Sequence, residues 1–410
     1  MTTITHQEAT GAADMAMCPL MPTYGPPKVM FVRGEGARLW DRDDKEYVDF
    51  LSGIAVTSLG HSHPAVAKAI ADQAQKLLHV SNLYATENNW QVAQILDELI
   101  GGPAGQVFFC NSGAESIEAA IKLARKWGGR GKHVVVSAMR SFHGRTLATL
   151  HATGQPEKHE AFQPLPEGFR HVPFNDIAEL ERSLDGTVAA VLLEPVQGEG
   201  GINVPDPEYF RQVRDLCTER DVLMMFDEVQ SGLARTGKWF AHQHFGVEPD
   251  VVSMAKALGN GMPIGACWAR ADVAAAFKPG DHATTFGGQP LATAAALATL
   301  TTMKEIDAPA MAARRGAELR AKLEALPGIA SVRGLGLLLA AEIAPDVLTD
   351  RTAGDIASAC MDAGVVLYAM GATGLRMAPP IVLTDDDLDR GVAAIASALS
   401  GPTPVDGSAA

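Results

Sequence analysis

Cysteine is scarce in this 410-residue chain: Cys18, Cys110, Cys217, Cys267 and Cys360 are odd in number, scattered and without a CxxC pair. That excludes a disulfide framework or a structural zinc site and points to a reducing, cytoplasmic setting. No run of eighteen apolar residues occurs, and the first twenty residues have neither a basic n-region nor an apolar h-region. The expectation is a chain that is neither membrane-spanning nor exported. Basic residues are outnumbered, 34 Lys plus Arg against 48 Asp plus Glu, for a net charge of −14. Nucleic acid and anionic membranes are therefore poor partners, and any phosphate or carboxylate ligand must be held by local groups. There is no G-x-x-x-x-G-K-[ST] string, and "GEGG", "GLGL" and "GNGMPIG" lack the strand, G-x-G-x-x-G and helix arrangement of a dinucleotide site. No metal site is expected either. His61 and His63 in "GHSHP" are spaced like a ligand pair, but no acid or cysteine stands at ligand spacing, and Pro64 marks a helix start.

What the chain does have is apolar runs, within a composition that is 47% hydrophobic. "QVFFC", "HVVVSA", "AAVLLEPV", "VLMMFDEV" and "DVVSMA" are almost wholly apolar and bounded by turn residues, which predicts buried strands of a largely parallel sheet. Between them, "ESIEAAIKLARKWGG" puts Ile117, Ala120, Ile121 and Ala124 on one helical face. The fold class is α/β. "KVMFVRGEGARLWDRDDKEYVDFL" reads as a hairpin with charged turns, and helix alternates with strand again after Thr302. The expected division is a large domain over 61–302, a smaller α/β domain from 21–60 with 303–400, and mobile tails at 1–20 and 401–410.

In such sheets ligands sit at the carboxyl ends of the strands. "QVFFC" leads to "NSGAES" and a helix, where Asn111 or Ser112 can cap and the free amides can cradle an anion, although an ordinary helix cap looks the same. "HVVVSA" leads to Phe142 and Arg145. "AAVLLEPV" delivers Glu194 and then Glu199 in a glycine-rich turn. "VLMMFDEVQ" ends five apolar residues on Asp227, a carboxylate that is costly to bury unless a cation or donor meets it. "DVVSMA" delivers Lys256, which either forms a salt bridge or keeps a neutral amine able to attack a carbonyl.

An anion cradle, a flat apolar group, a buried carboxylate and a lysine together suit pyridoxal phosphate. The strings "NSGAES", "FHGRT", "EPVQGEGG", "FDEVQSGLARTG", "MAKALGNG", "TTFGGQP" and "LRMAPP", in this order, resemble the class III (subgroup II) pyridoxal-phosphate aminotransferases, over about nine-tenths of the chain. The resemblance implies fold type I, with a mostly parallel seven-stranded sheet, and a homodimer with active sites at the subunit interface. It implies that Ser112, Gly113 and Ala114 meet the cofactor phosphate and that Thr285 reaches the phosphate of the neighbouring subunit. Phe142 and Val229 would pack on the two ring faces, with Asp227 at the ring nitrogen and Gln230 near the ring hydroxyl. Lys256 would condense with the aldehyde and then serve as general base and acid. Ala114, Asn260 and Gln289 depart from the family's threonine, glycine and asparagine.

The resemblance also answers why "EPVQGEGG" carries two acids. Arg376 would bind the α-carboxylate of 2-oxoglutarate, Glu199 would neutralise Arg376 when the amine donor occupies the site, and Arg145 would take the other carboxylate. Tyr24, Ile54 and Thr284 would complete the substrate contacts. The acetylornithine branch fits best, so the expected reaction moves the ω-amino group of N2-acetylornithine to 2-oxoglutarate. N-succinylornithine, N-succinyl-diaminopimelate, 4-aminobutyrate and ornithine are the alternative donors. An aminomutase would have no use for Arg376, and a non-catalytic relative would be expected to lack Lys256 or Asp227.

Overall fold

The structure, a computed structural model, describes residues 20–25 and 27–401. Apart from Leu20 and Gly401, the expected tails at 1–20 and 401–410 lie outside the described residues. The N-terminal strands are β1 (Phe31–Glu35), β2 (Arg38–Asp41) and β3 (Glu46–Asp49). The middle of the chain supplies β4 (Gly105–Cys110), β5 (Val134–Ala138), β6 (Phe169–Val172), β7 (Val188–Leu193), β8 (Leu223–Asp227), β9 (Val251–Met254) and β10 (Gly265–Arg270). The C-terminal part adds β11 (Ile329–Leu335), β12 (Leu338–Ile343), β13 (Val365–Val366), β14 (Tyr368–Met370) and β15 (Gly374–Met377).

The seven middle strands form one sheet in the order β4-β10-β9-β8-β7-β5-β6. β5 to β9 pair in parallel, whereas β10 runs antiparallel to both β4 and β9. Every residue of β7, β8 and β9 is buried. Alternation along β7 explains this: Val191 and Leu193 join a core with Phe210 and Val213, while Ala190 and Leu192 join another with Ile117, Ala120 and Leu123. A strand covered by helices on both faces leaves little room for polar side chains, hence the nearly continuous apolar runs, and Ser253 in β9 is accommodated by donating to Ser116 O at 3.2 Å. The helix Gly113–Gly128 buries Ile117, Ala120, Ile121 and Ala124, as its periodicity predicts, and ends before Gly129 at φ +68°.

Two strands of this sheet are not evident from apolar patterning. β6 reads FRHV at an edge, and β10 reads GACWAR, whose small residues have low strand propensity.

The chain ends meet. β13 joins β3 in parallel at the edge of the sheet β1-β2-β3-β13, so the predicted hairpin is extended by a third strand of its own and a fourth from far along the chain. Arg38 on β2 donates to Asp387 at 2.7 Å and to Asp386 at 2.8 Å at the start of the helix Asp385–Ser400. Arg315, on a helix that reads as a solvated surface element, instead pairs with Glu318 at 2.8 Å and with Asp385. Within the helix Asp385–Ser400, Gly391 lies flat on the Phe50 ring, and a Cβ there would stand 2.0 Å from Phe50 Cζ. Gly391→Ala is therefore expected to lower stability by about 1–3 kcal/mol, since overpacking outweighs the gain in helix propensity. An unchanged urea midpoint would refute this contact.

Candidate active site

The carboxyl ends of the parallel strands open on a cavity of about 390 Å³. Asp227 closes β8 and is 5% exposed. Its Oδ1 accepts the Val229 amide at 3.0 Å, and its Oδ2 lies 2.8 Å from His143 Nδ1. An ionised carboxylate can only accept, so Nδ1 carries the proton in that state. His143 Nε2 is buried with no partner among the described residues.

Lys256 follows β9 at φ +41°, a left-handed conformation uncommon for a residue with a side chain. It lines the cavity opposite β8. Burial and then the Arg376 charge pull its amine down to about 8, against the opposing pull of Glu199 and Asp227.

After β7, Glu194 accepts the amides of Phe142 at 3.0 Å and Gly198 at 3.1 Å, tying together the two loops that bear Phe142 and Glu199. Burial pushes its carboxyl up to about 7, although His143 pulls the other way.

Glu199 meets a residue from the far end of the chain. Arg376 on β15, 2% exposed, donates from Nη1 to Glu199 Oε1 at 2.8 Å and from Nη2 to Gln230 Oε1 at 2.7 Å. Burial raises the Glu199 carboxyl, but the Arg376 charge and hydrogen bond outweigh it and hold Glu199 below its ordinary range. Arg376 Nε is left without a partner among the described residues.

At the end of β4, Ser112 Oγ caps the helix Gly113–Gly128 by accepting the Glu115 amide at 3.2 Å. Among the described residues the amides of Gly113 and Ala114 have no partner, and they open the positive end of a sixteen-residue helix. Gly113 must lack a side chain, because a Cβ would stand 2.7 Å from Val229 Cγ1. Phe142 is half-buried, with the Arg145 guanidinium 5.2 Å from its ring centre.

The cavity thus brings together Ser112, Gly113, Ala114, Phe142 and Arg145 from one side and Glu199, Asp227, Val229, Gln230 and Lys256 from the other. Arg376 stands behind Glu199 and Gln230. Besides Arg376, four expected residues do not line the cavity within this single chain. Tyr24 is 89% exposed and Ile54 42% exposed, with Val56 lining the cavity instead. Thr285 is exposed, and Thr284 Oγ1 is taken up by Asn111 Nδ2 at 3.4 Å and the Gly287 amide at 3.1 Å. All four expectations came from the family resemblance, which also implies a homodimer with sites at the subunit interface.

The departures from the family pattern have local reasons. Asn260, at φ +45°, accepts the Leu59 amide at 2.8 Å and donates to Gly60 O at 3.0 Å. Gln289 caps the helix Pro290–Glu305 through the Leu291 amide at 2.8 Å. Ala114 packs toward Gly144. The roles of His143 and Glu194 escaped sequence reasoning, although both sit inside recognised strings; a polar residue beside a functional loop was the available signal.

These residues suit pyridoxal phosphate. Two unpartnered helix amides face where an anion can lie, an apolar pair flanks the space, and a buried carboxylate and a buried amine bound it.

The family model for Aminotransferase class-III matches residues 21–399. The acetylornithine aminotransferase of Thermosynechococcus vestitus is 46% identical, covering 96% of this chain and 97% of that protein. That of Methanothermobacter thermautotrophicus is 43% identical, covering 93% and 96%. Among solved structures, ornithine aminotransferase from Toxoplasma gondii superposes with a TM-score of 0.89 at 33% identity, covering 96% of both chains. The chain belongs to the class-III aminotransferases, enzymes that work with pyridoxal phosphate.

Proposed function

We propose that this site moves the ω-amino group of N2-acetylornithine to 2-oxoglutarate, giving N-acetylglutamate 5-semialdehyde and glutamate. The observation that carries the reading is the Glu199–Arg376 pair at 2.8 Å, set among buried groups and beside Lys256. An amine donor with no carboxylate on its reacting carbon leaves Arg376 without an anion, and Glu199 supplies one. 2-Oxoglutarate brings its own carboxylate, and Glu199 then moves aside on the glycine-rich turn. The curated relatives described above, both acetylornithine aminotransferases, support the same donor.

Bound pyridoxal phosphate supplies an aldehyde for the amine and a ring that accepts electrons. The amides of Gly113 and Ala114, with Ser112, hold its phosphate, and Phe142 and Val229 hold the ring between them. Asp227, fixed by His143, keeps a proton on the ring nitrogen, with Gln230 near the ring hydroxyl. Lys256 would hold the cofactor through its amine and would move the proton at the substrate carbon that bears nitrogen. An amine pulled down to about 8 suits it to both giving and taking that proton near neutral pH.

Catalysis falls to a homodimer in this reading, with Thr285 serving the partner subunit's phosphate site and Tyr24, Ile54 and Thr284 facing the interface. Leu83, Tyr84, Trp90 and Phe286, 60–84% exposed in the single chain, are large apolar groups that a second copy would cover. The large domain spans 61–302 and the small one 21–60 with 303–400. No helix among the described residues is long and apolar enough to cross a membrane, in keeping with a cytoplasmic enzyme.

The test offers the pyridoxal form separate donors: N-acetylornithine, N-succinylornithine, N-succinyl-diaminopimelate, ornithine, 4-aminobutyrate and glutamate. N-Acetylornithine should discharge the visible cofactor band with the highest kcat/KM among the ω-amines; reaction with 4-aminobutyrate alone would overturn the donor. Glu199→Ala should shift the preference between N-acetylornithine and glutamate toward glutamate by about tenfold or more, the worth of one charge-assisted hydrogen bond. A constant ratio would remove the switch.

A further inference from the structure

Beside Arg145 stands a second cation that neither the sequence motifs nor the reading above uses. The turn Pro156–Lys158 follows the helix Leu147–Ala152 and is pinned on both sides. Gln155 Nε2 donates to Ser141 O at 2.8 Å, and buried His159 holds Thr153 O at 2.7 Å through Nε2. This puts Lys158 Nζ 6.0 Å from the centre of the Phe142 ring, which also carries the Arg145 guanidinium at 5.2 Å. Two cations therefore gather round one half-buried ring: Arg145 lines the cavity with Phe142, and Lys158 stands beside that ring, just outside the lining.

The Lys158 ammonium donates to Gln155 Oε1, a neutral acceptor, and its other protons are free for a ligand. Among the described residues no carboxylate forms an ion pair with either Arg145 or Lys158. Burial, followed by the Arg145 charge, pulls the Lys158 amine below its ordinary value, while Glu157 and Glu199 pull the other way without forming an ion pair with it. Exposed pairs of this sort normally drift apart in water; here a pinned turn and a shared aromatic face keep them together.

We propose that Lys158 is a specificity-determining residue: with Arg145 it binds the carboxylate that a substrate carries at the end remote from its reacting amine or carbonyl. The inference rests on the aminotransferase reading. Both half-reactions present such a carboxylate, the α-carboxylate of an N-acylated ornithine and the γ-carboxylate of 2-oxoglutarate. A planar guanidinium takes one edge of that group and a mobile ammonium the other. Arg145 alone, being exposed, would give a weaker and more salt-sensitive hold.

The test uses holoenzyme and substrate pairs that differ only in this carboxylate: N-acetylornithine against N-acetylputrescine, and 2-oxoglutarate against 2-oxobutyrate. Lys158→Gln should lower the kcat/KM ratio within each pair about tenfold, mainly through KM, and Lys158→Arg should restore it to within about threefold. Calorimetry with glutarate, which cannot react, should show a Kd about tenfold higher in Lys158→Gln than in wild type. Ratios that do not move, or an equal loss on both members of a pair, mean a merely structural lysine and overturn the proposal. If N-acetylornithine proves not to be a donor, that reading fails by itself, while the oxo-acid pair and glutarate still decide the role of Lys158.

Discussion

Lys256→Ala should abolish transamination by at least about 10⁴-fold while the protein still folds and still takes up pyridoxal phosphate. Phosphate cradle, ring faces and Asp227 are untouched by the change, so cofactor binding survives without the covalent link. Borohydride treatment should fix cofactor on a peptide containing position 256 in wild type and on none in the variant. A second readout is stability without cofactor. Lys256 is half-buried, with its amine enclosed and pulled from 10.5 to about 8, so the unfolded chain binds the extra proton between these values. Stability of the cofactor-free wild type should then rise as pH climbs from 8 toward 10.5, by about 3 kcal/mol in all, and Lys256→Ala should lack that rise. Labelling at another lysine, or activity within a hundredfold of wild type, would dismantle the proposed chemistry.

Asp227→Asn should be nearly as severe, with kcat/KM down about 10³-fold. The substitution keeps the shape of the group and an acceptor for the Val229 amide, which in the wild type lies 3.0 Å from Oδ1. It removes the charge, and with it the means of keeping a proton on a ring nitrogen in a buried site. The same change leaves His143 facing a neutral amide instead of a carboxylate at 2.8 Å. Cofactor content measured after gel filtration separates a loss of binding from a loss of chemistry. Loaded variant with activity within tenfold of wild type would exclude Asp227 from the role proposed.

Both residues were legible in the sequence because each is a charge at the end of a largely apolar run, which is costly without a compensating partner. β7, β8 and β9 were legible for the related reason that doubly covered strands are nearly all apolar. β10 was not, since Gly265, Ala266 and Ala269 pack by smallness, and its antiparallel direction leaves no mark on composition. The contact of Arg376 with Glu199 spans 177 positions, and only family resemblance suggested it. Lys158 and His143 illustrate a different blindness. Nothing in "GQPEKHE" or "FHG" distinguishes a solvated charge from one held against a ring or a carboxylate, because that distinction is made by the fold. Thr285 marks the opposite limit, a residue whose expected role belongs to a neighbouring copy of the chain.

The pairing of Val48–Asp49 with Val365–Val366 has a consequence for how this enzyme comes into being. The neighbouring Lys45–Asp362 hydrogen bond joins residues 317 positions apart. During synthesis the first three strands emerge from the ribosome with an open edge and no mate until most of the polypeptide has been made, while the central sheet has its own strands in hand much sooner. A chain ended before Val365 would retain the cradle, the buried acid and the reactive amine yet leave that early edge permanently unsealed. Such a fragment should be caught by chaperones or aggregate, so the final stretch of the chain, from Val365 on, decides whether the rest becomes a usable catalyst.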